Sequence, residues 1–232
     1  MYDLKLLVFD WDGTLMDSEA QIVGCMQAAI CDLDLEPRSP EQIKDIIGLG
    51  LREAVERLYP GQPADFATRM AARYREHWLA RPEEAALFPG VEETLRLLRE
   101  EGFQLAVATG KGRQGLDKVL AATGLDALFH ATRCSDETRS KPHPQMLREL
   151  MQVCGARPGQ TLMIGDTEYD MAMARNAGAH PLAVSYGVHD WQRLQQHRPL
   201  ACIDQITDLN DWLAEQRCDY QQGEAPIVSE AG

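Results

Sequence analysis

The sequence lacks the features that mark several large classes of protein. Its 232 residues contain no apolar run near the roughly 18 residues of a membrane span, and the N-terminus MYDLKLL has no basic or long apolar signal segment. The six cysteines show no CxxC spacing, which argues against a zinc site or a disulfide framework. We therefore expect a cytoplasmic protein with free thiols and no membrane partner.

Positive charge is also scarce. Lysine and arginine number 23 against 36 aspartates and glutamates, which gives a formal net charge of -13. Because proteins that bind the nucleic-acid backbone usually have a basic face, we expect no nucleic-acid partner. A small phosphorylated ligand needs only a few cations in a local pocket, and a divalent metal ion can supply part of that charge.

Short apolar runs bounded by turn residues recur along the chain and predict strands. They are LLVF (6–9), QLAVA (104–108), ALFHA (127–131), TLMI (161–164) and HPLAV (180–184). Helical patterns lie between the later runs, at 91–101, 115–123, 144–154 and 169–177. Continuous apolar strands separated by helices are typical of a doubly wound parallel α/β sheet, whose ligands bind outside the carboxyl ends of the strands.

The span 17–82 has helical periodicity throughout and no run that predicts a strand. We predict an all-helical unit here, inserted into an α/β core formed by residues 1–16 and 83–217, with a disordered tail at 218–232. Two connections to the core would let the helical unit act as a lid over the sheet. The alternative is a helical decoration fixed on the sheet.

The first predicted strand runs into the sequence DWDGT at residues 10–14. Residues two apart in an extended chain point the same way, so Asp10 and Asp12 can present both carboxylates on one side. Gly13 then permits a tight turn that brings Thr14 back toward them. A plain Asp-Gly turn is one alternative; a calcium loop is rejected, because a strand and not a helix precedes the motif.

The second strand end reads ATGKGRQG. Thr109 and the amides of Gly110 and Lys111 lie where a strand gives way to a helix, which is a natural place to hold an anion. The glycines at 110, 112 and 115 also spell GxGxxG, so a dinucleotide site is an alternative, as is simple loop flexibility.

Two further strand ends complete the pattern. Lys141 stands between turn residues and a helix start, where its charge could neutralise a phosphoryl oxygen or nearby carboxylates. Asp166 ends an apolar run, and Asp170 follows one helical turn later, although Thr167 and Asp170 also match a helix-capping box. Oxygen ligands without a histidine or cysteine cluster indicate Mg²⁺.

These four motifs, in this order, resemble those of the haloacid dehalogenase (HAD) superfamily. The matches are Asp10-Trp11-Asp12-Gly13-Thr14, Thr109-Gly110, Lys141-Pro142, and Gly165-Asp166 through Asp170, and they cover about residues 4–187. The helical insert is similar to the type-one cap of that family. The fold that the resemblance implies is a Rossmann-like α/β core with a small helical cap.

The resemblance also implies roles for the residues. Asp10 would be the nucleophile and Asp12 the general acid and base, while Thr109 and Lys141 would bind the transferring oxygens. Thr14, Gly110 and Lys111 would contact the substrate. Mg²⁺ would be held by Asp10, the Asp12 carbonyl and Asp166, with Asp170 as a ligand or as the residue that orients Asp166.

The presence of Asp12 favours a phosphatase within the superfamily, because dehalogenation at carbon needs no proton donor for a leaving alkoxide. The sequence is most similar to the phosphoglycolate phosphatase-like branch, and we expect a monomer or dimer acting on a small phosphorylated metabolite. A phosphomutase and a pyrophosphatase stay as alternatives, and a non-catalytic or dinucleotide-binding protein is an alternative of another class. In the cap, Arg52 is the candidate contact for an anionic substrate group.

Overall fold

The centre of the molecule is a parallel sheet of six strands. The computed structural model describes residues 2–63, 65–80 and 85–223. Its strands are β1 (Leu6–Phe9), β2 (Met16–Asp17), β3 (Ala86–Leu87), β4 (Gln104–Thr109), β5 (Ala131–Cys134), β6 (Thr161–Gly165), β7 (His180–Val184) and β8 (Cys202–Ile203). The order across the main sheet is β5-β4-β1-β6-β7-β8, so β1 lies between β4 and β6.

Ten helices flank or cover this sheet in the described residues. They are α1 (Glu19–Asp32), α2 (Pro40–Lys44), α3 (Leu51–Leu58), α4 (Phe66–Ala80), α5 (Val91–Glu100), α6 (Arg113–Thr123), α7 (Gln145–Cys154), α8 (Glu168–Ala177), α9 (Trp191–Leu194) and α10 (Asp208–Gly223). None of them, in the part of the chain that the structure describes, is long and apolar enough to cross a membrane.

Strand β1 is apolar on both faces because helices cover both faces of the sheet. Leu7 and Phe9 belong to an apolar cluster with residues of α5, α6 and α10, whereas Leu6 and Val8 belong to a second cluster with α7 and α8. All four side chains have no solvent exposure. The predicted α/β fold class with a doubly wound parallel sheet is therefore confirmed.

One predicted strand is wrong. The run at 127–131 does not form a strand: a 3-10 turn occupies Asp126–Leu128, and β5 begins only at Ala131. The apolar run instead reflects packing, since the Phe129 ring lies 6.3 Å from that of Trp11 in an edge-to-face contact. Strand β5 is at the edge of the sheet and three of its four residues are only partly buried, so its sequence, ATRC, is not an apolar run.

Helices α1 to α4 form a unit between β2 and β3. These two short strands pair antiparallel, Met16 with Leu87, so that the chain leaves and re-enters the core at one place. The helices enclose an apolar cluster of their own, which includes Met26, Ile43 and Met70. We call this unit the cap; its domain boundaries and its action as a lid stay predictions.

The segment between α2 and α3 touches the core at the carboxyl ends of the strands. The amide of Gly50 donates to Ser140 Oγ at 2.6 Å, and the Tyr169 hydroxyl donates to the Asp45 carbonyl at 2.7 Å. Arg193 forms an ion pair with the Asp45 carboxylate at 2.6 Å. These contacts fix one end of the cap above the part of the sheet where ligands are expected.

The C-terminal region differs in part from the expectation of a disordered tail. Helix α10 continues to Gly223, so residues 218–223 are helical, and residues 224–232 lie outside the described residues. The cysteines at 31, 134, 154 and 202 are free thiols, as predicted.

The central strand gives a test of the packing. Leu7→Ala should lower the free energy of unfolding by about 2 to 5 kcal/mol, because it leaves a cavity in a fully buried layer. Val153→Ala on α7 is the matched control, since Val153 is 58% exposed and its truncation should change stability by less than about 0.5 kcal/mol. Urea denaturation of both variants measures the difference; equal midpoints would contradict the packing described here.

Candidate active site

The residues predicted from the strand ends meet at the carboxyl edge of the sheet. Asp10 follows β1, Thr109 is the last residue of β4, and Asp166 follows β6. Since β4, β1 and β6 are neighbours, their ends lie side by side. Lys141 reaches the same place from the loop between β5 and α7, and all four side chains are buried.

Lys141 supplies the positive charge among the buried acids. Its Nζ lies 2.8 Å from Asp10 Oδ1 and 2.6 Å from Asp170 Oδ1, and its side chain has no solvent exposure. Burial by itself opposes the charged ammonium, but the carboxylates of Asp10 and Asp170 outweigh it and raise the pKa of Lys141. Lys141 is thus held as a cation between two carboxylates.

The acids still outnumber the cation. Oxygens of Asp10, Asp166 and Asp170 all lie within 4.8 Å of one another. Burial raises the pKa of Asp10 well above its usual range, an effect that Lys141 opposes and the two neighbouring acids increase. Burial together with the Asp170 charge raises the pKa of Asp166 to about 7.

This cluster fits a hard divalent cation. Three carboxylates against one ammonium leave a formal charge of -2 (three negative, one positive) when all are ionised. Asp10 Oδ2 is buried and accepts no hydrogen bond within the described residues, so it has a free lone pair inside the cluster. All the donors are carboxylate oxygens, the ligand type that Mg²⁺ prefers.

Neighbouring groups orient the acids of the cluster. Thr14 Oγ1 donates to Asp166 Oδ1 at 2.9 Å, and the amide of Val188 donates to Asp166 Oδ2, also at 2.9 Å. The hydroxyl of Thr167 donates to Asp170 Oδ2 at 2.6 Å. Thr167 and Asp170 also form the capping box at the start of α8, which their sequence spacing allowed as an alternative to a metal-binding role. Asp170 therefore caps α8 with one oxygen and faces Lys141 with the other.

Asp12 lies apart from this cluster. Its Oδ1 accepts a hydrogen bond from Ser18 Oγ at 2.6 Å and forms an ion pair with Lys111 Nζ at 3.0 Å. Asp10 and Asp12 both border the same cavity, as their spacing predicted. The two aspartates of DWDGT thus have different partners: Asp10 pairs with Lys141 among the acids, and Asp12 pairs with Ser18 and Lys111.

The loop after β4 also borders the cavity. The amide of Lys111 donates to Thr109 Oγ1 at 3.1 Å, and the Gly110 carbonyl accepts from Ser135 Oγ at 2.7 Å. A Cβ at Gly110 would lie 2.4 Å from the Leu49 carbonyl oxygen of the cap. Gly110 is therefore the residue that allows cap and core backbones to approach.

The two other glycines of GxGxxG have packing roles. A Cβ at Gly112 would meet the Asp136 carboxylate at 2.9 Å, and one at Gly115 would meet Lys111 Cγ at 3.0 Å. The Asp136 carboxylate accepts from the amide of Arg113 at the start of α6. In this structure Asp136 therefore caps the first turn of α6.

Of the four residues predicted as substrate-binding, Gly110 and Lys111 border the cavity, and Thr14 and Arg52 do not. Thr14 is fully buried beneath Asp166 and positions that acid. Arg52 is exposed and forms an ion pair with Glu56 at 3.0 Å. On α3, Leu51 and Ala54 share the face that borders the cavity, so the intervening Arg52 points elsewhere.

Sequence reasoning missed several residues of the site. Ser18, the Asp12 partner, is separated from it by the turn into β2 and carries no motif. A Cβ at Gly187 would lie 2.1 Å from Asp166 Cβ, and this glycine after β7 could have been found as another strand-end residue. Trp78 and Arg75 of α4 border the cavity from the cap, and nothing in a helical pattern distinguishes them.

Comparison with known proteins agrees with this geometry. Residues 7–184 match the model of the haloacid dehalogenase-like hydrolase family. The chain is 34% identical over 211 residues to the "Probable phosphatase IndB" of Dickeya dadantii (strain 3937), covering 88% of this chain and 91% of that one. It is 29% identical over 211 residues to "Pyrophosphatase PpaX" of Halalkalibacterium halodurans, covering 90% and 96%.

A solved structure is also similar. The crystal structure of a predicted phosphoglycolate phosphatase from Haemophilus somnus 129pt superimposes with a TM-score of 0.81 at 27% identity. The match covers 92% of this chain and 99% of that one. The similarity therefore includes the cap helices as well as the sheet.

The raised pKa of Asp166 predicts a pH-dependent stability in a metal-free buffer. The folded-state pKa of about 7 exceeds that of an unfolded aspartate, so the stabilising contribution is complete at low pH and is lost as the pH rises through 7. Lowering the pH from 8 to 6 should therefore raise the free energy of unfolding by about 1.4 kcal/mol. Urea denaturation with a chelator measures this.

Asp166→Asn is the control for that experiment, since the histidines that titrate in the same range are common to both proteins. The variant should lose the gain between pH 8 and 6 that the wild type shows. Excess Mg²⁺ should also reduce the gain in the wild type, because a bound cation favours ionised carboxylates. Identical pH profiles for wild type and variant would show that Asp166 is not the titrating group.

Proposed function

The chain belongs to the haloacid dehalogenase-like hydrolase family, and we propose that it is a phosphatase for a small phosphomonoester, with Mg²⁺ as cofactor and an aspartyl-phosphate intermediate. The observation that carries this proposal is the division between Asp10 and Asp12. Asp10 is ion-paired to Lys141 within the acidic cluster, and Asp12 borders the same cavity with its own partners. A nucleophile and a separate proton carrier are what a two-step hydrolysis needs.

In the first step a carboxylate oxygen of Asp10 attacks the phosphorus atom. The bond from phosphorus to the ester oxygen breaks, and its electron pair stays on the leaving oxygen. Asp12 enters this step protonated and donates that proton to the leaving oxygen, so the product leaves as an alcohol and Asp10 carries the phosphoryl group as an acyl phosphate. Positioned proton transfer of this kind contributes about 10² to 10⁴-fold to a rate.

In the second step water attacks the phosphorus of the acyl phosphate. Asp12, now ionised, accepts a proton from the water, and the bond between phosphorus and the Asp10 oxygen breaks. Inorganic phosphate leaves, and both aspartates return to their initial states. The Ser18 hydroxyl and Lys111 hold Asp12 in one position through both steps.

The phosphoryl oxygens require positive partners during both steps. Lys141 is fixed beside Asp10, and the start of the loop after β4 offers the hydroxyl of Thr109 and the Gly110 amide. In the described hydrogen bonds the Thr109 hydroxyl acts only as an acceptor, from the Lys111 amide, so its proton is available to a phosphoryl oxygen.

The acidic cluster is where Mg²⁺ would be held, by Asp10 and Asp166, with the Asp12 carbonyl as a further ligand and Asp170 as a ligand or an orienting group. When bound, the ion would supply positive charge to the nucleophile and to a phosphoryl oxygen. Lys141 alone leaves the ionised cluster with a net negative charge. The Asp10 carboxylate and the phosphoryl group are both negative and must approach each other, so a further cation would reduce their repulsion.

The alternatives have less support from this structure. A dinucleotide would have to enter a loop whose Gly110 is already covered by the cap segment at Leu49. A phosphomutase or pyrophosphatase would share the acids and Lys141, so the distinction between them and a monoesterase rests on the cap side of the cavity and on assay.

The nucleophile can be tested with p-nitrophenyl phosphate. Wild type should release phosphate only with Mg²⁺, and Asp10→Asn should lower kcat/KM by on the order of 10³-fold or more. Arg52→Ala is the control, and its kcat/KM should stay within about twofold because this exposed side chain lies outside the cavity. Turnover that survives in Asp10→Asn would sink the proposal.

The proton carrier can be tested by trapping the intermediate. An aryl oxide leaves without a proton donor, so Asp12→Asn should still form the acyl phosphate but hydrolyse it slowly. Mass spectrometry after acid quench should find the variant heavier by one phosphoryl group, and the double variant with Asp10→Asn unmodified. An Asp12→Asn protein that never becomes phosphorylated would contradict the separate role of Asp12.

A further inference from the structure

The cavity in front of Asp10 and Asp12 has two chemically different walls. The core wall carries these carboxylates and the loop that begins at Gly110. The cap wall is largely apolar, and its principal side chains come from α1, α4 and the segment before α3: Ile22, Met26, Ile47, Leu49, Tyr74 and Trp78. The part of a substrate that extends away from the phosphoryl group therefore meets apolar side chains.

The size of the cavity and the aromatic rings at its wall suit a small ring. Its volume is about 150 Å³, close to that of an apolar cavity that binds one benzene molecule. The rings of Tyr74 and Trp78 are nearly parallel, with 19° between their planes and 6.3 Å between their centroids. Aromatic side chains stacked along one wall favour an aromatic or similarly flat ligand.

Cations are few on this side of the cavity. Among the described residues that border it, the basic ones are Lys111 and Arg75. Lys111 is already paired with Asp12 at 3.0 Å and lies 3.8 Å from the centre of the Trp78 ring, and Arg75 is exposed at the entrance. A carboxylate or second phosphate placed against the apolar wall, away from the exposed Arg75 at the entrance, would lose its hydration without gaining a cationic partner.

We infer that the preferred substrate is a phosphomonoester whose body is a flat apolar group about the size of one aromatic ring, held between the cap wall and the loop after β4. This inference rests on the proposed function, because it places the phosphoryl group at Asp10. Small doubly anionic compounds such as 2-phosphoglycolate and pyrophosphate are poor substrates in this reading, although some similar proteins are named for them.

A matched pair of alkyl phosphates tests the inference. 2-Phenylethyl phosphate and ethyl phosphate both release a primary alcohol, so their intrinsic reactivities are similar and the phenyl group is the main difference. Wild type should prefer the phenylethyl ester in kcat/KM by about 30-fold, the preference that burial of one phenyl group supports. 2-Phosphoglycolate should be hydrolysed less efficiently than the phenylethyl ester.

Variants of α4 test the location of the apolar group. Trp78→Ala should lower the ratio of the two kcat/KM values by about fivefold. Leu79→Ser is a second variant, because Leu79 borders the cavity but is 38% exposed, so its truncation should not prevent folding and should lower the ratio in the same direction. Arg69→Ala is the control on the outer face of α4, where Arg69 pairs with Asp65, and it should leave the ratio unchanged.

The outcomes separate this inference from the proposed function. Hydrolysis of both alkyl esters with a ratio near one, or a preference for 2-phosphoglycolate or pyrophosphate, would overturn the substrate class and leave the reaction standing. A high ratio that Trp78→Ala and Leu79→Ser both leave unchanged would overturn the proposed location. Failure to hydrolyse these esters and p-nitrophenyl phosphate with Mg²⁺ would overturn the proposed function and the substrate class with it.

Discussion

The site depends on one ammonium group, that of Lys141, placed between two buried carboxylates. Without it Asp10 and Asp170 would be buried together with like charge, an arrangement that costs several kcal/mol unless one of them takes up a proton. The sheet order makes the pairing possible, because Asp10 follows the central strand and Asp170 belongs to the helix after its neighbour. Lys141 completes the cluster from the opposite side.

A second constraint is the closeness of the backbone to Asp166. A Cβ at Gly13 would lie 2.2 Å from its Oδ2, and one at Gly187 would lie 2.1 Å from its Cβ. Side chains at these two positions would displace the acid. The carboxylate is instead surrounded by backbone and by the donors Thr14 and Val188, so it is both buried and oriented. Burial makes every charge in the cluster act more strongly on its neighbours.

The parts of the site that the sequence predicts are those set by chain direction. Strand ends of a parallel sheet must share one edge, so Asp10, Thr109 and Asp166 could be placed together from local patterns alone. The edge strand β5 could not be located, because three of its four residues are only partly buried and its sequence, ATRC, is not an apolar run, whereas the apolar Leu128 and Phe129 stand in the turn before it. The position of Arg52 could not be predicted for a related reason. The sequence indicates that Arg52 lies in a helical segment, but it does not indicate which face of α3 borders the cavity.

The cap wall was not foreseen either, since an apolar stripe on a helix packs a core more often than it binds a ligand. Only the packing of the cap on the core shows that Trp78 and Leu49 border the same cavity as Asp10 and Asp12. In the proposed reaction the two walls have different roles. The core wall contacts the phosphoryl group that all phosphomonoesters share, and the cap wall contacts the remainder of the substrate, which differs from one phosphomonoester to another. An apolar substrate body would also displace water from the cavity, and Lys141 would then attract the phosphoryl oxygens through a medium of lower dielectric constant. Substrate preference and rate are in that case coupled, because the group that fills the apolar wall strengthens the charges opposite it.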